Sequence, residues 1–144
     1  MESQLQHDYY SFMSTQQGIG DVKIEISDIA SVRVDLLFNF ISYHICTEVK
    51  RELQDCSFEH LDNEYLGQSM EYGNTSAKLG ILLVLDLTEK PNGMGSFESR
   101  VKLEIASTSA VQDRRGIVII TVPGNRVTPS MVKKTVKKIN LMHG

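Results

Sequence analysis

The chain has 144 residues, of which 41% are hydrophobic and 23% are charged, and its net charge at neutral pH is −3. A chain of this length and composition is expected to form one globular domain with a core that needs no disulfide or metal. The presence of only two cysteines excludes a disulfide-rich protein, and no apolar run approaches the ~20 residues that a membrane-spanning helix needs.

Residues 1–20 are polar and rich in glutamine, and they show no hydrophobic period. We therefore predict a flexible N-terminal tail over residues 1–20 and a single α+β domain over residues 21–144. The alternative is a tail that docks through Tyr9, Tyr10 and Phe12. No secretion signal is present in the tail, so we expect a cytoplasmic protein in which both cysteines are free thiols.

The stretch from Ser27 to Asp55 has apolar residues at steps of three and four, which predicts one long amphipathic helix. An alternative exists, because part of the stretch alternates as a strand does, at Val32, Val34, Leu36, Phe38 and Phe40. The helical spacing continues to Leu53 while the alternation stops at Phe40. On that ground we predict the helix.

Five other stretches predict strands. Asp21–Ile26 alternates between apolar and charged residues, and Leu66–Tyr72 gives a weaker indication of a strand. Leu79–Leu87 and Ile117–Val122 are apolar on both faces, as central strands are. Phe97–Ile105 alternates, which predicts a hairpin with Leu79–Leu87 whose charged residues face solvent.

The predicted fold class is therefore α+β, with one long helix packed on an antiparallel sheet of four or five strands. A short C-terminal helix is predicted to follow, because Thr128 can cap it and Pro129 suits its first turn. After Asp113 the chain has no acidic residue. The predicted binding residues are the seven basic ones that follow, Arg114, Arg115, Arg126, Lys133, Lys134, Lys137 and Lys138.

Two groups of residues include side chains that metal or catalytic sites use, but their spacing matches no established motif. His44 and Glu48 share a face of the predicted helix, yet the paired ligand clusters of zinc motifs are missing. A second group combines carboxylates with an imidazole in a stretch predicted as a solvated loop, at Glu59, His60, Asp62 and Glu64. We therefore predict no catalytic residue, no metal and no cofactor.

These observations favour a small non-enzymatic binding or assembly protein that acts through protein–protein contacts and forms a homo-oligomer. One alternative is a nucleic-acid-binding accessory protein that uses the basic C-terminal segment, and its binding would weaken steeply with salt. The other alternative is a small enzyme with its site in the cleft between sheet and helix, which requires converging polar groups.

Overall fold

The part of the chain that the structure describes contains a mixed β-sheet with helices against both faces. A computed structural model describes residues 2–16, 20–29, 32–72, 77–107 and 113–125. The helices are α1 (Glu2–Ser14), α2 (Phe58–Leu61) and α3 (Gly67–Tyr72), with a π-helical turn (Asp62–Leu66) joining α2 to α3. The strands are β1 (Asp21–Ile29), β2 (Val32–Asn39), β3 (His44–Glu52), β4 (Leu79–Asp86), β5 (Val101–Ala106) and β6 (Arg115–Pro123).

The six strands form one sheet in the order β1-β2-β3-β4-β6-β5. β1, β2 and β3 form an antiparallel meander, whereas β3, β4 and β6 run parallel to one another and β5 is antiparallel to β6. Parallel neighbours need a crossover connection. The crossover helix, which we define as residues 58–72 from α2 through the π-helical turn to α3, makes that connection between β3 and β4.

The long helix predicted from Ser27 to Asp55 is wrong, and so is the fold class built on it. That stretch forms the end of β1, all of β2 and all of β3. A tight turn closes the β2–β3 hairpin, where the Phe40 N–H donates to the Tyr43 carbonyl at 2.9 Å. The stretch is rich in β-branched and aromatic residues, which fit a pleated surface better than a helix. Strands with apolar residues on both faces can imitate a helical period.

Three of the other predicted strands are confirmed. Asp21–Ile26 is strand β1, which continues to Ile29, and the apolar runs at Leu79–Leu87 and Ile117–Val122 are the interior strands β4 and β6. The strand predicted at Leu66–Tyr72 is wrong, because those residues belong to the crossover helix. The predicted C-terminal helix lies outside the described residues.

The hairpin predicted between β4 and β5 is also wrong, because β5 pairs with β6. Its two faces are reversed as well. Leu103 and Ile105 are 56% and 64% exposed, while the Lys102 ammonium lies 3.2 Å from the Asp62 carboxylate of the crossover helix. The charged side of β5 thus faces the crossover helix, where Asp62 is a partner for Lys102.

Two apolar clusters lie on opposite faces of the sheet. On the crossover face, Leu82 and Ile119 pack with Leu61 and Met70 of the crossover helix. On the α1 face, the buried residues of the sheet include Phe38. Helix α1 packs against them through four half-buried side chains, Leu5, Tyr9, Tyr10 and Met13. Residues 1–20, for which we predicted a flexible tail, thus contain a helix that contacts the sheet. The boundary between tail and domain stays a prediction.

Candidate functional site

Strand β3 presents three charged residues in a row on the crossover face. Glu48, Lys50 and Glu52 are two residues apart, and alternate residues of a strand point to the same side. Glu48 and Lys50 stand opposite Leu82 and Val84 of β4, whose side chains belong to the cluster on the crossover face. A charged row is therefore held beside an apolar core by the register of the parallel strands.

The row begins where β2 and β3 separate. Their ladder runs from the Asn39–His44 pair to the Leu36–Thr47 pair. Beyond it, β2 continues paired with β1 and β3 continues paired with β4. We call this opening the β2–β3 notch.

Asp35 lies at the start of the β2–β3 notch, one residue beyond the last pair and on the same side as Glu48. Its Oδ2 accepts a hydrogen bond of 2.8 Å from the Val49 N–H. That amide belongs to the peptide bond that joins Glu48 to Val49. The Asp35 carboxylate is therefore held at the peptide bond that follows Glu48, in place of the backbone pairing that the strands no longer make.

Lys50 is the cation of this group. Its Nζ lies 2.5 Å from the Glu48 Oε1. Glu48 is only 6% exposed, so its carboxylate and the Lys50 ammonium form an ion pair that is largely withdrawn from solvent. We call Asp35, Glu48 and Lys50 the Glu48 cluster, which combines two carboxylates with one ammonium at the edge of the core.

A second polar group adjoins the Glu48 cluster further along β3. The Tyr65 hydroxyl donates to the Glu52 Oε1 at 2.5 Å, and the His60 Nε2 lies 3.3 Å from the same oxygen. The Lys50 Nζ lies 5.8 Å from the centre of the Tyr65 ring, which is within the range of a cation–π contact. The crossover helix thus contributes two polar side chains to the row on β3.

The donor atoms of the Glu48 cluster suit a hard cation. Mg²⁺ prefers oxygen ligands and is usually held by one or two carboxylates together with water and substrate phosphates. Asp35 and Glu48 provide such a pair. Among the described residues, no group of three or more His, Cys, Asp or Glu side chains could hold a metal ion. Two carboxylates are too few for a closed site of the zinc type, and a magnesium ion at this place would need further ligands from water or substrate.

A separate cavity of about 660 Å³ opens at the carboxyl ends of β3 and β4. Ligands often bind at such an edge of a parallel sheet. Two carboxylates that line it already have partners, however. Asp55 accepts from the Ser57 N–H at 2.8 Å, and Asp86 pairs with the buried Lys90 ammonium at 3.0 Å. These contacts stabilise a loop and a helix start, so the cavity is a weaker candidate than the Glu48 cluster.

Neither cysteine has the properties of a nucleophile. Burial, with a smaller contribution from the Glu48 charge, raises the pKa of the Cys46 thiol to about 11. Burial and the nearby Asp86 charge raise the pKa of Cys56 to about 12. The thiolate is the reactive form, and both side chains stay protonated near neutral pH. The two thiols therefore provide no nucleophile near neutral pH.

The structure describes only two of the seven predicted binding residues. Arg114 is exposed, whereas Arg115 is buried at the start of β6. The other five lie outside the described residues, namely Arg126, Lys133, Lys134, Lys137 and Lys138. The proposal that the seven act together in binding stays a prediction.

The fold places the two groups of residues with the chemistry of a site in other elements than the sequence predicted. His44 and Glu48 are on a strand, where four residues span about 13 Å, so they do not form the predicted pair on a helix face. The stretch predicted as a solvated loop is helical, and its His60 and Asp62 contact different partners on the sheet.

The Glu48 cluster itself was missed because β3 was assigned to a helix. On a helix, residues two apart point in different directions, so a helical assignment separates Glu48 from Lys50. The alternation that the sequence analysis set aside, from Val32 to Phe40, was the signal that could have led to it. Read as a strand pair, that pattern places Asp35 on the side opposite to its apolar neighbours.

No helix among the described residues is long and apolar enough to span a membrane. No protein family, no curated protein and no solved structure was found to match this chain. The function of the protein is therefore inferred from its own residues and their geometry.

Proposed function

We propose that this protein is a metal-assisted hydrolase of phosphodiester bonds, with nucleic acid as its substrate. One observation carries the proposal. The Asp35 carboxylate is bonded to the amide that follows Glu48, and the Lys50 ammonium lies 2.5 Å from the Glu48 carboxylate. Two carboxylates and an amine thereby meet where β2 and β3 separate.

This combination suits phosphoryl chemistry better than the other reactions that use paired carboxylates. A glycoside hydrolase needs one carboxylic acid that is protonated and can donate its proton. Glu48 instead forms an ion pair with the Lys50 ammonium, at 2.5 Å. Phosphodiester cleavage instead needs positive charge near the phosphate oxygens, which an amine and a cation held by two carboxylates provide.

Asp35 and Glu48 would hold the divalent cation, and this ion supplies a Lewis acid that polarises the phosphate and makes bound water more acidic. Lys50 donates hydrogen bonds to a phosphate oxygen and opposes the negative charge that develops there. In the net reaction, a bond forms between water oxygen and phosphorus while one phosphorus–oxygen ester bond breaks. The water loses one proton to solvent, and the departing oxygen gains one.

Two observations favour a polymer as the substrate. The residues of the Glu48 cluster do not line the cavity described above, and the cluster lies where the pairing of β2 with β3 ends. In addition, residues 114–144 carry seven Lys or Arg and no acidic residue, and such a segment attracts the phosphates of a nucleic acid. We propose that the protein acts in the cytoplasm, where its two thiols stay reduced.

The test is a cleavage assay with the full chain, using end-labelled single-stranded DNA, double-stranded DNA and RNA at millimolar Mg²⁺. We expect cleavage that depends on the metal and stops with EDTA. Lys50→Ala is expected to lower the rate by roughly 10²–10³-fold, the usual effect of removing a group that stabilises developing charge. Asp35→Asn and Glu48→Gln are nearly isosteric and are expected to lose activity to a similar extent.

The Lys78–Asp113 pair provides matched controls, because it also joins an amine to a carboxylate, at 3.3 Å, but is exposed at the surface. Lys78→Met and Asp113→Asn should cleave as the parent does. If no polynucleotide is cleaved with Mg²⁺ or Mn²⁺, the proposal is wrong. It is also wrong if Glu48→Gln, folded as judged by its melting temperature, keeps full activity.

Assembly through protein contacts is a second proposal, favoured by the apolar side chains on β5. Leu103 and Ile105 are exposed on a strand at the edge of the described sheet, and such edges pair readily with other chains. We expect a homo-oligomer that Leu103→Lys disrupts, as measured by sedimentation. A parent that is monomeric at all concentrations would contradict it.

A further inference from the structure

Lys50 lies between two carboxylates that its side chain can reach. Glu48 and Glu52 flank it on the same face of β3, each about 7 Å away along the strand. A lysine side chain is long and flexible, so either carboxylate is an available partner. The ammonium lies against Glu48, at 2.5 Å. The position of the amine at the proposed reaction centre therefore depends on what holds Glu52.

Glu52 is held by the crossover helix. Its Oε1 accepts the Tyr65 hydroxyl at 2.5 Å and lies 3.3 Å from the His60 Nε2. His60 and Tyr65 are five residues apart, which in a regular α-helix would place them about 140° apart around the axis. The π-helical turn, which contains Tyr65, has i to i+5 bonding and brings both side chains towards one oxygen.

We infer that Tyr65 is a positioning residue, which holds Glu52 so that the Lys50 ammonium stays with Glu48. The aromatic ring adds to this arrangement, since its centre is 5.8 Å from the Lys50 Nζ. Without the hydroxyl, Glu52 becomes a competing partner for Lys50. The consequence for catalysis rests on the proposed function, whereas the position of Lys50 can be tested without it.

The position of Lys50 is tested by NMR of the full chain labelled with ¹⁵N-lysine, with the Nζ signal assigned through Lys50→Arg. We expect Glu48→Gln to move the signal in the parent and Glu52→Gln to leave it nearly unchanged. Tyr65→Phe keeps the ring and removes only the hydroxyl, so in that background Glu52→Gln should move the signal. A Glu52→Gln change with the same effect in both backgrounds overturns the inference.

The cleavage assay supplies the second readout. Tyr65→Phe is expected to lower kcat about fivefold to tenfold, the scale of one lost hydrogen bond, with little change in KM. Adding Glu52→Gln should restore most of the rate, because the competing carboxylate is gone. A merely structural tyrosine would not be rescued in this way, so failure of the rescue overturns the inference.

The two proposals fail in different ways. If Glu48→Gln abolishes cleavage but Tyr65→Phe changes neither the rate nor the Lys50 signal, the proposed function stands and the inference on Tyr65 is wrong. If no variant or parent cleaves any substrate while the Lys50 signal behaves as expected, the positioning by Tyr65 is supported and the proposed function is wrong.

Discussion

Replacing Tyr9 with alanine tests whether α1 is part of the folded domain. The Tyr9 ring packs edge-on against Phe38, with ring centres 5.9 Å apart and planes at 82°. Truncating a fully buried aromatic residue costs about 3–5 kcal/mol. Tyr9 is half-buried, so roughly half of that cost applies, and the aromatic pair adds about 0.5–1.5 kcal/mol. We expect Tyr9→Ala to lower the free energy of unfolding by about 2–4 kcal/mol.

Thermal unfolding followed by circular dichroism measures this effect. For a chain of this size, the expected loss corresponds to a fall in Tm of about 5–10 °C. Phe12→Ala is the matched control, because Phe12 is on the same helix but is 60% exposed, and it should shift Tm by less than a third as much. Equal Tm values for Tyr9→Ala and Phe12→Ala would refute the packing of α1 on the sheet.

The pH dependence gives an independent check on Tyr9. Burial raises the pKa of the Tyr9 hydroxyl above its usual value near 10. The folded protein therefore retains a proton that the unfolded chain releases at a lower pH. The stability that Tyr9 contributes is complete below about pH 10 and is lost as the pH rises through the folded pKa. Tyr9→Phe should flatten this alkaline decline.

Three further predictions concern the buried polar groups. Lys90→Met leaves Asp86 without its 3.0 Å ion pair and should lower the free energy of unfolding in urea by about 3–5 kcal/mol. The exposed Lys78→Met should lower it by only about 0–1 kcal/mol. Burial raises the pKa of Asp86, but hydrogen bonds from a hydroxyl and an ammonium outweigh it and lower the pKa overall. Its contribution should therefore be present above about pH 4 and lost as the pH falls through the folded pKa, and Asp86→Asn should flatten that decline. Cys46 and Cys56 should react with a thiol reagent at pH 8 only after unfolding, and rapid labelling of the native protein would contradict their raised pKa values.

Where a segment has one environment along its whole length, the sequence predicted it well. β4 and β6 are interior strands, and their continuous apolar runs have no helical alternative of sufficient length. β2 and β3 were harder because both of their faces are partly buried. Leu36 and Phe38 face α1 while Leu37 lies on the other side, so the apolar residues satisfy a strand period and a helical period together.

Local pattern alone decided the burial of β4 and β6 and the types of residue available for chemistry. The fold decided which strands pair, which way β5 faces and where β2 and β3 separate. Those features depend on contacts between segments far apart in the chain, such as Lys102 with Asp62 and the crossover helix with β3. Asp35, Glu48 and Lys50 become one cluster only through that separation. The sequence thus sets the types of these three residues. The register of the strands brings them together, and the local sequence pattern does not specify that register.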